Sequence, residues 1–274
     1  MTKVLFLGEI IGLTAVRFLK KNLRKIRAEL GIDFVMANVD GASDGFGLLN
    51  DTAYQIKNAG VDILTSGDLV YNKKDIKDTL SKTNFLLRPY NLPSRFAGKG
   101  IFNYHLDNGV NIGVVNLMGR INFTKIFAQD QFAAAENAIE RLTGKCNMII
   151  IDFHGGATSE IQSIQWYLAG KVAAVIGTNL KVLTADHRII DGTAVITGAG
   201  FCGGRPGIMG LEPEPEIRKI RTGQFIYSKI VQTNITLEGV IMEIDETTGR
   251  AVSIEPFRRC LGSREMPPEE EAKE

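Results

Sequence analysis

The sequence predicts an α/β protein built on a parallel or mixed β-sheet with helices on both faces. Two observations carry this. Short apolar runs that end in polar, glycine-containing loops recur along the chain, and stretches with apolar residues at helical spacing alternate with them. With 274 residues, 44% of them hydrophobic, one large core is within reach.

The elements follow in order. Residues 4–7 form an apolar run that ends at Gly8 and reads as a buried strand. Residues 14–30 carry Val16, Leu19, Leu23, Ile26 and Leu30 on one helical face. A strand at 34–37 leads into the polar loop 38–47. A helix is expected at 52–59, a strand at 62–65, a loop at 67–72 and a helix at 73–80. Residues 100–106 and 109–116 read as a hairpin turned by Asp107-Asn108-Gly109. A helix is expected at 130–142. A dense apolar strand at 148–152 ends in Phe153-His154-Gly155-Gly156, a helix follows at 158–169, and a strand at 173–176 ends in Gly177-Thr178-Asn179. Strand pairs around 192–196 and 234–244 suggest a second sheet. Residues 1–262 are expected to form one domain. Residues 263–274, with Pro-Pro and a run of glutamates, are expected to be a disordered acidic tail.

Several function classes are excluded by composition. Lys and Arg number 32 against 31 Asp and Glu, a net charge of +1, so nothing global points to DNA or an anionic membrane. Cys146, Cys202 and Cys260 form no C-x-x-C pair and fit reduced residues of a cytoplasmic protein. The apolar run at the start is broken by Glu9 and lacks the pattern of a signal peptide.

The polar loops at the carboxyl ends of the strands are where ligands bind in open α/β folds. They present Glu9, Asp40, Asp68, His154, and Asn179 with Lys181. Carboxylates, an amide and an imidazole on separate strand ends can converge on one cation, and a metal there would clamp a phosphoryl group and activate water. Arg120 ends another strand-like segment and is placed to contact an anion or to make a structural ion pair. His105 and His187 read as ordinary structural or surface histidines, and Trp166-Tyr167 as helix packing.

A chain of short segments in order carries a family resemblance: Gly8-Glu9-Ile10-Ile11-Gly12, Asp40-Gly41-Ala42-Ser43, Gly67-Asp68-Leu69, Arg88-Pro89 and Asn116-Leu117-Met118-Gly119-Arg120. Ile151-Asp152-Phe153-His154, Ala157-Thr158-Ser159-Glu160, Gly177-Thr178 and Thr184-Ala185-Asp186 complete it. In these the sequence resembles the YmdB-like metallophosphoesterases, bacterial 2′,3′-cyclic-nucleotide phosphodiesterases related to the calcineurin-like superfamily. The resemblance implies a four-layer α/β/β/α sandwich, a site for divalent metal and a homo-oligomer.

The departures from the family pattern fall on its metal ligands. Glu9 stands for an Asp, Asp40-Gly41 for Glu-Asn, and Gly67-Asp68-Leu69 for Gly-Asn-His. Gly177-Thr178-Asn179-Leu180-Lys181 stands for Gly-Thr-His-Thr-His, and His154 alone is kept. Gly41 offers no side-chain ligand, and Lys181 offers an ammonium that binds no cation. Lys181 is therefore expected to occupy the first metal's place and to pair with Glu9 or Asp40. The second position keeps Asp40, Asp68, His154 and Asn179, an acceptable set for one Mn, Fe or Mg ion. Leu69 takes the place of the expected proton donor, a loss worth roughly 10²–10⁴ in rate. Three expectations follow: a degenerate pseudoenzyme that binds a nucleotide, an RNA end or a protein, with one metal or none; a single-metal phosphodiesterase on cyclic nucleotides; or a structural subunit of a homo-oligomer.

Overall fold

The computed structural model describes residues 1–260. The expected acidic tail, 263–274, lies outside the described residues. In chain order the first half holds β1 (Thr2–Leu7), β2 (Glu9–Ile10), α1 (Gly12–Leu30), β3 (Phe34–Asn38), α2 (Asn50–Ala59), β4 (Ile63–Thr65), α3 (Ile76–Lys82), β5 (Leu86–Leu87), β6 (Ile101–His105) and β7 (Asn111–Met118). The second half holds α4 (Gln131–Leu142), β8 (Met148–His154), α5 (Thr158–Leu168), β9 (Ala174–Thr178), β10 (Arg188–Ile190), β11 (Thr193–Ile196), β12 (Phe201–Cys202), α6 (Pro213–Thr222), β13 (Thr236–Ile244) and β14 (Ala251–Cys260).

These strands make two six-stranded sheets, ordered β14-β13-β1-β3-β4-β5 and β10-β11-β9-β8-β7-β6, with β12 and β2 as a small separate pair. The period-2 alternation of β1 explains how the sheets stack. Leu5 and Leu7 join a core with Ala15, Val16, Leu19 and Leu23 of α1 and Ala53 and Ile56 of α2. Val4 and Phe6 point the other way, into a core shared with Ile112 and Val114 of β7 and Ile150 of β8. The outer face of the second sheet, Leu117, Ile149, Ile151 and Phe153, packs on Ala135 and Ala138 of α4 and Ile161 and Ile164 of α5. The result is a four-layer α/β/β/α sandwich. Fully burying each of these large side chains contributes roughly 1.5–3 kcal/mol.

Two expectations are corrected. Among the described residues each sheet carries helices on its outer face and the other sheet on its inner face, with the alternate residues of β1, β7 and β8 packing into one core or the other. The stretches near 192–196 and 234–244 do not share a sheet. β11 lies parallel to β9 in the second sheet, whereas β13 pairs antiparallel with β1 in the first, with Thr2 opposite Ile244. The expected hairpin is present, with Ile101 opposite Val115. The helix expected at 73–80 begins later, at Ile76, and α6 has no counterpart in the sequence reading. In α6 only Glu216 is buried, so it lacks the apolar stripe that marks a helix. No described helix is long and apolar enough to cross a membrane.

Within the first sheet β1, β3, β4 and β5 are parallel, and within the second so are β7, β8, β9 and β11. Side chains tie the two sets together at their carboxyl ends. The Asn38 amide at the end of β3 donates to Asp152 of β8 at 2.9 Å, and the Asn116 amide of β7 donates to the Ser66 carbonyl at 2.9 Å. The loops that carry the candidate site residues leave from this seam.

Candidate metal centre

Asp40 follows β3 and is 1% exposed. Its backbone N–H donates to the Asn38 side-chain oxygen at 3.1 Å, which fixes the turn out of the strand. The loop after β4 wraps the carboxylate. The Gly67 N–H donates to Asp40 Oδ1 at 2.6 Å and the Leu69 N–H to Oδ2 at 2.9 Å. Gly67 is needed for a steric reason, because a Cβ there would collide with the His154 ring. Glycine lets the imidazole lie flat against the loop that presents Asp68.

His154 ends β8 and is fully buried. Its Nε2 lies 3.1 Å from Asp68 Oδ1 and 3.8 Å from Asp40 Oδ2. Ligand atoms of Asp40, Asp68 and His154 all lie within 4.8 Å of one another. On its other side, Nδ1 faces Thr178 Oγ1 at 3.4 Å. The Thr178 hydroxyl donates to Asp152 Oδ1 at 2.7 Å, and Asn38 donates to Asp152 Oδ2. Thr178 Oγ1, whose own proton goes to Asp152, can accept a proton carried on Nδ1, while Nε2 faces the Asp68 and Asp40 carboxylates. A histidine held from behind by a hydroxyl and a carboxylate is the usual support of a metal-binding imidazole. Thr178 and Asp152 were not singled out for this role from sequence; Asp152, two residues before His154 in one strand and thus on the same face, was the available signal.

The other half of the site is built differently. Glu9 in β2 is fully buried, and Lys181 Nζ lies 3.0 Å from its Oε2. This contact is one of charge without hydrogen-bond geometry, and Oε1 has no partner. A Cβ on Gly41 would come within 2.7 Å of Glu9 Oε1, so the glutamate fills the space a side chain at 41 would need. Lys181 adopts φ +55° and Asn179 φ +81°, two left-handed residues in one short loop. Asparagine tolerates that region and lysine does so less readily, so the loop accepts strain where it places the ammonium.

Electrostatics follow from this crowding. Burial, with the charges of Glu9 and Asp68, pushes the Asp40 carboxyl up to about 7, against the pull of His154 and the Leu69 N–H. Burial lowers the basicity of His154, but its contact with Asp68 and the charges of Asp40, Asp68 and Glu9 outweigh that and raise it. Burial also works against the charge of Lys181, and Glu9, Asp40 and Asp68 again outweigh it. For Asp68, burial is outweighed by His154 and Lys181, and its carboxyl is held below the usual range. Glu9, Asp40 and Asp68 thus set three carboxylates against one ammonium and one imidazole.

The model of the YmdB family, described as YmdB-like protein, matches residues 5–257. The chain belongs to the YmdB-like family. It is 34% identical over 254 residues to the 2′,3′-cyclic-nucleotide 2′-phosphodiesterase of Bacillus subtilis (strain 168), covering 92% of this chain and 95% of that relative. A crystal structure of a phosphatase from Mycoplasma pneumoniae superposes with a TM-score of 0.87 at 28% identity, covering 94% of this chain and 93% of that one. A crystal structure of a hypothetical protein from Thermus thermophilus gives 0.86 at 28% identity, covering 94% and 99%. Membership places the chain among metallophosphoesterases.

The residues present fit a divalent metal of the kind the family implies. Two carboxylates and an imidazole are an oxygen and nitrogen donor set, the local charge is negative, and a buried carboxylate oxygen of Glu9 has no partner. The Asn179 amide donates to the Gly155 carbonyl at 3.1 Å, which leaves its oxygen as the atom able to ligate. Glu9 is not among the three clustered ligands. Leu69 contributes its backbone N–H to Asp40 and an apolar side chain. Arg120 is brought elsewhere. It is exposed, its N–H donates to Glu160 at 2.6 Å, and it lines a surface cavity with Glu160 and Phe132 rather than the cavity that borders Asp68. His105 is exposed and contacts Asn111.

Proposed function

We propose that this YmdB-like chain holds one divalent metal on Asp40, Asp68 and His154, with Lys181 in place of a second, and that it binds phosphate esters while hydrolysing them slowly or not at all. The observation that carries the reading is the split within one site: three ligand atoms converge within 4.8 Å, while the neighbouring carboxylate, Glu9, is taken by an ammonium at 3.0 Å. Asp40, Asp68 and His154 would hold the metal, with the Asn179 oxygen as a further donor. When bound, such a metal polarises a phosphoryl oxygen and lowers the pKa of a bound water.

The chain's own residues do the rest. Thr178 and Asp152 stand behind Nδ1 of His154 and aim Nε2 inward. Gly67 and Leu69 N–H groups orient Asp40. Lys181 supplies fixed positive charge for an anionic ester without the ability to generate hydroxide. Leu69 offers no proton to a leaving oxygen, and a missing general acid costs roughly 10²–10⁴ in rate. Binding of a nucleotide is the reading that the 2′,3′-cyclic-nucleotide 2′-phosphodiesterase among its relatives supports; an RNA end as ligand and a cytoplasmic homo-oligomer are proposed with it.

A second reading, a working single-metal phosphodiesterase on cyclic nucleotides, is favoured by the intact support of His154 by Thr178 and Asp152. Metal content and hydrolysis of bis(p-nitrophenyl) phosphate, measured on the same Mn²⁺-loaded protein, separate the readings. One Mn²⁺ per chain with turnover raised by Leu69→His supports the first. Fast turnover of the unmodified chain that is abolished by His154→Ala supports the second. Two Mn²⁺ per chain would sink both.

A further inference from the structure

Beside the metal centre the structure holds a cavity of about 320 Å³ that begins at Asp68. Its far wall is aromatic and cationic. Arg95 lies over the Phe96 ring with Cζ 5.6 Å from the centroid, and Tyr71 packs on the other edge of that wall, 5.3 Å ring to ring from Phe96. The near wall comes from the segment after β7. Phe123 of that segment stacks on the His154 ring at 5.6 Å, and two and four residues later Lys125 and Phe127 line the cavity. Phe127 is 76% exposed, a large aromatic ring left in solvent beside two cations. Asp68 is the single carboxylate of the lining, set against Arg95 and Lys125.

Resting on the reading of the metal centre as a phosphate-ester site, we propose that this cavity is the subsite for the next nucleotide of a short single-stranded oligonucleotide. One phosphoryl group sits at Asp40, Asp68 and His154. The adjoining base lies against Phe127 and Phe96, and its phosphate is taken by Arg95 and Lys125. Aromatic rings give sequence-tolerant stacking, since every base has a π-face, and flanking cations take the backbone charge. The volume falls at the small end of the roughly 300–1,000 Å³ of small-molecule sites, which suits one nucleotide unit rather than a longer tract. With the first phosphoryl group at the metal-side end, the second phosphate is directed to the Arg95 and Lys125 end of the cavity. A net charge of +1 hides this patch because its two cations are balanced by acidic residues elsewhere.

Calorimetric binding of inorganic phosphate, AMP and pApA to the full, Mn²⁺-loaded chain tests the subsite. The dinucleotide is expected to bind on the order of ten-fold more tightly than AMP. In the Arg95→Ala/Lys125→Ala double variant pApA should fall to the AMP level with inorganic phosphate binding unchanged, and Phe127→Ala should weaken pApA without moving phosphate. All three positions are exposed, so the fold is retained, as an unchanged melting temperature would verify. Equal affinity for AMP and pApA, or pApA binding indifferent to the double variant, overturns the subsite. Loss of phosphate binding with pApA still held through Arg95 and Lys125 overturns the metal reading instead and leaves the subsite standing.

Discussion

The two halves of the site occupy the same seam between the sheets, yet they handle buried charge in opposite ways. On one side Asp40, Asp68 and His154 are positioned by backbone N–H groups and by the Thr178–Asp152 support, and they remain free to share an external cation. On the other, Glu9 is longer than the family's aspartate, fills the space over Gly41 and is neutralised by Lys181 from within the chain. The first half brings three ligand atoms to one point, and the second pairs its carboxylate with a lysine of the same chain. A substitution in one should therefore be read in metal affinity and in the other in folding stability.

That contrast can be broken most forcefully with one variant on each side. His154→Ala should lower Mn²⁺ affinity by more than about 100-fold, beyond the 10–100-fold typical of losing an outer support. Lys181→Met should not lower it. It should cost about 3–5 kcal/mol of stability instead, because Glu9 is left buried and unpaired. Adding Glu9→Gln should recover most of that loss. Calorimetry and denaturant unfolding check the pair, and a Lys181→Met protein that is stable but has lost Mn²⁺ would erase the distinction.

A smaller effect sharpens the metal-binding half. Thr178→Val removes the acceptor behind His154 Nδ1, so Mn²⁺ should bind about 10–100-fold more weakly, and because it also removes a donor to the buried Asp152 it should cost about 1–3 kcal/mol of stability. Unchanged affinity would make Thr178 mere packing.

A further effect is a pH dependence in the metal-free protein. The Asp40 carboxyl is raised from its ordinary value of 3.8 to about 7 in the fold. A raised carboxyl contributes stability that is fully present below the unfolded value and lost as pH rises to about 7. Asp40→Asn carries no such titration. Wild type should thus lose melting temperature relative to Asp40→Asn between pH 4 and 7, and a flat difference across that range would contradict the raised Asp40 carboxyl.

Much of this site was legible in the sequence because its parts lie at the ends of strongly patterned strands. Asp40, Asp68 and His154 follow apolar runs whose period and glycine endings announce where a parallel strand stops. The Lys181–Glu9 contact was reachable because the family pattern places both at one metal position. Other features depend on tertiary contact that no local pattern carries. β13 joins β1 across more than 230 residues, so the division into two sheets could not be read from order alone. The support of His154 needs Asn38, Asp152 and Thr178 from three strands. The cavity at Asp68 needs Arg95 and Lys125 from separate loops, in a chain whose overall charge balance gives no hint of a local basic patch. Arg120, the anion contact the sequence suggested, faces a different cavity.

The central claim is that one metal and one lysine share a site built for two cations. Anomalous diffraction from crystals grown with Mn²⁺ addresses it directly. A single peak per chain is predicted, within ligand distance of Asp40, Asp68 and His154, with Lys181 Nζ still beside Glu9. Two peaks, or one peak bound by Glu9 with Lys181 turned away, would contradict it.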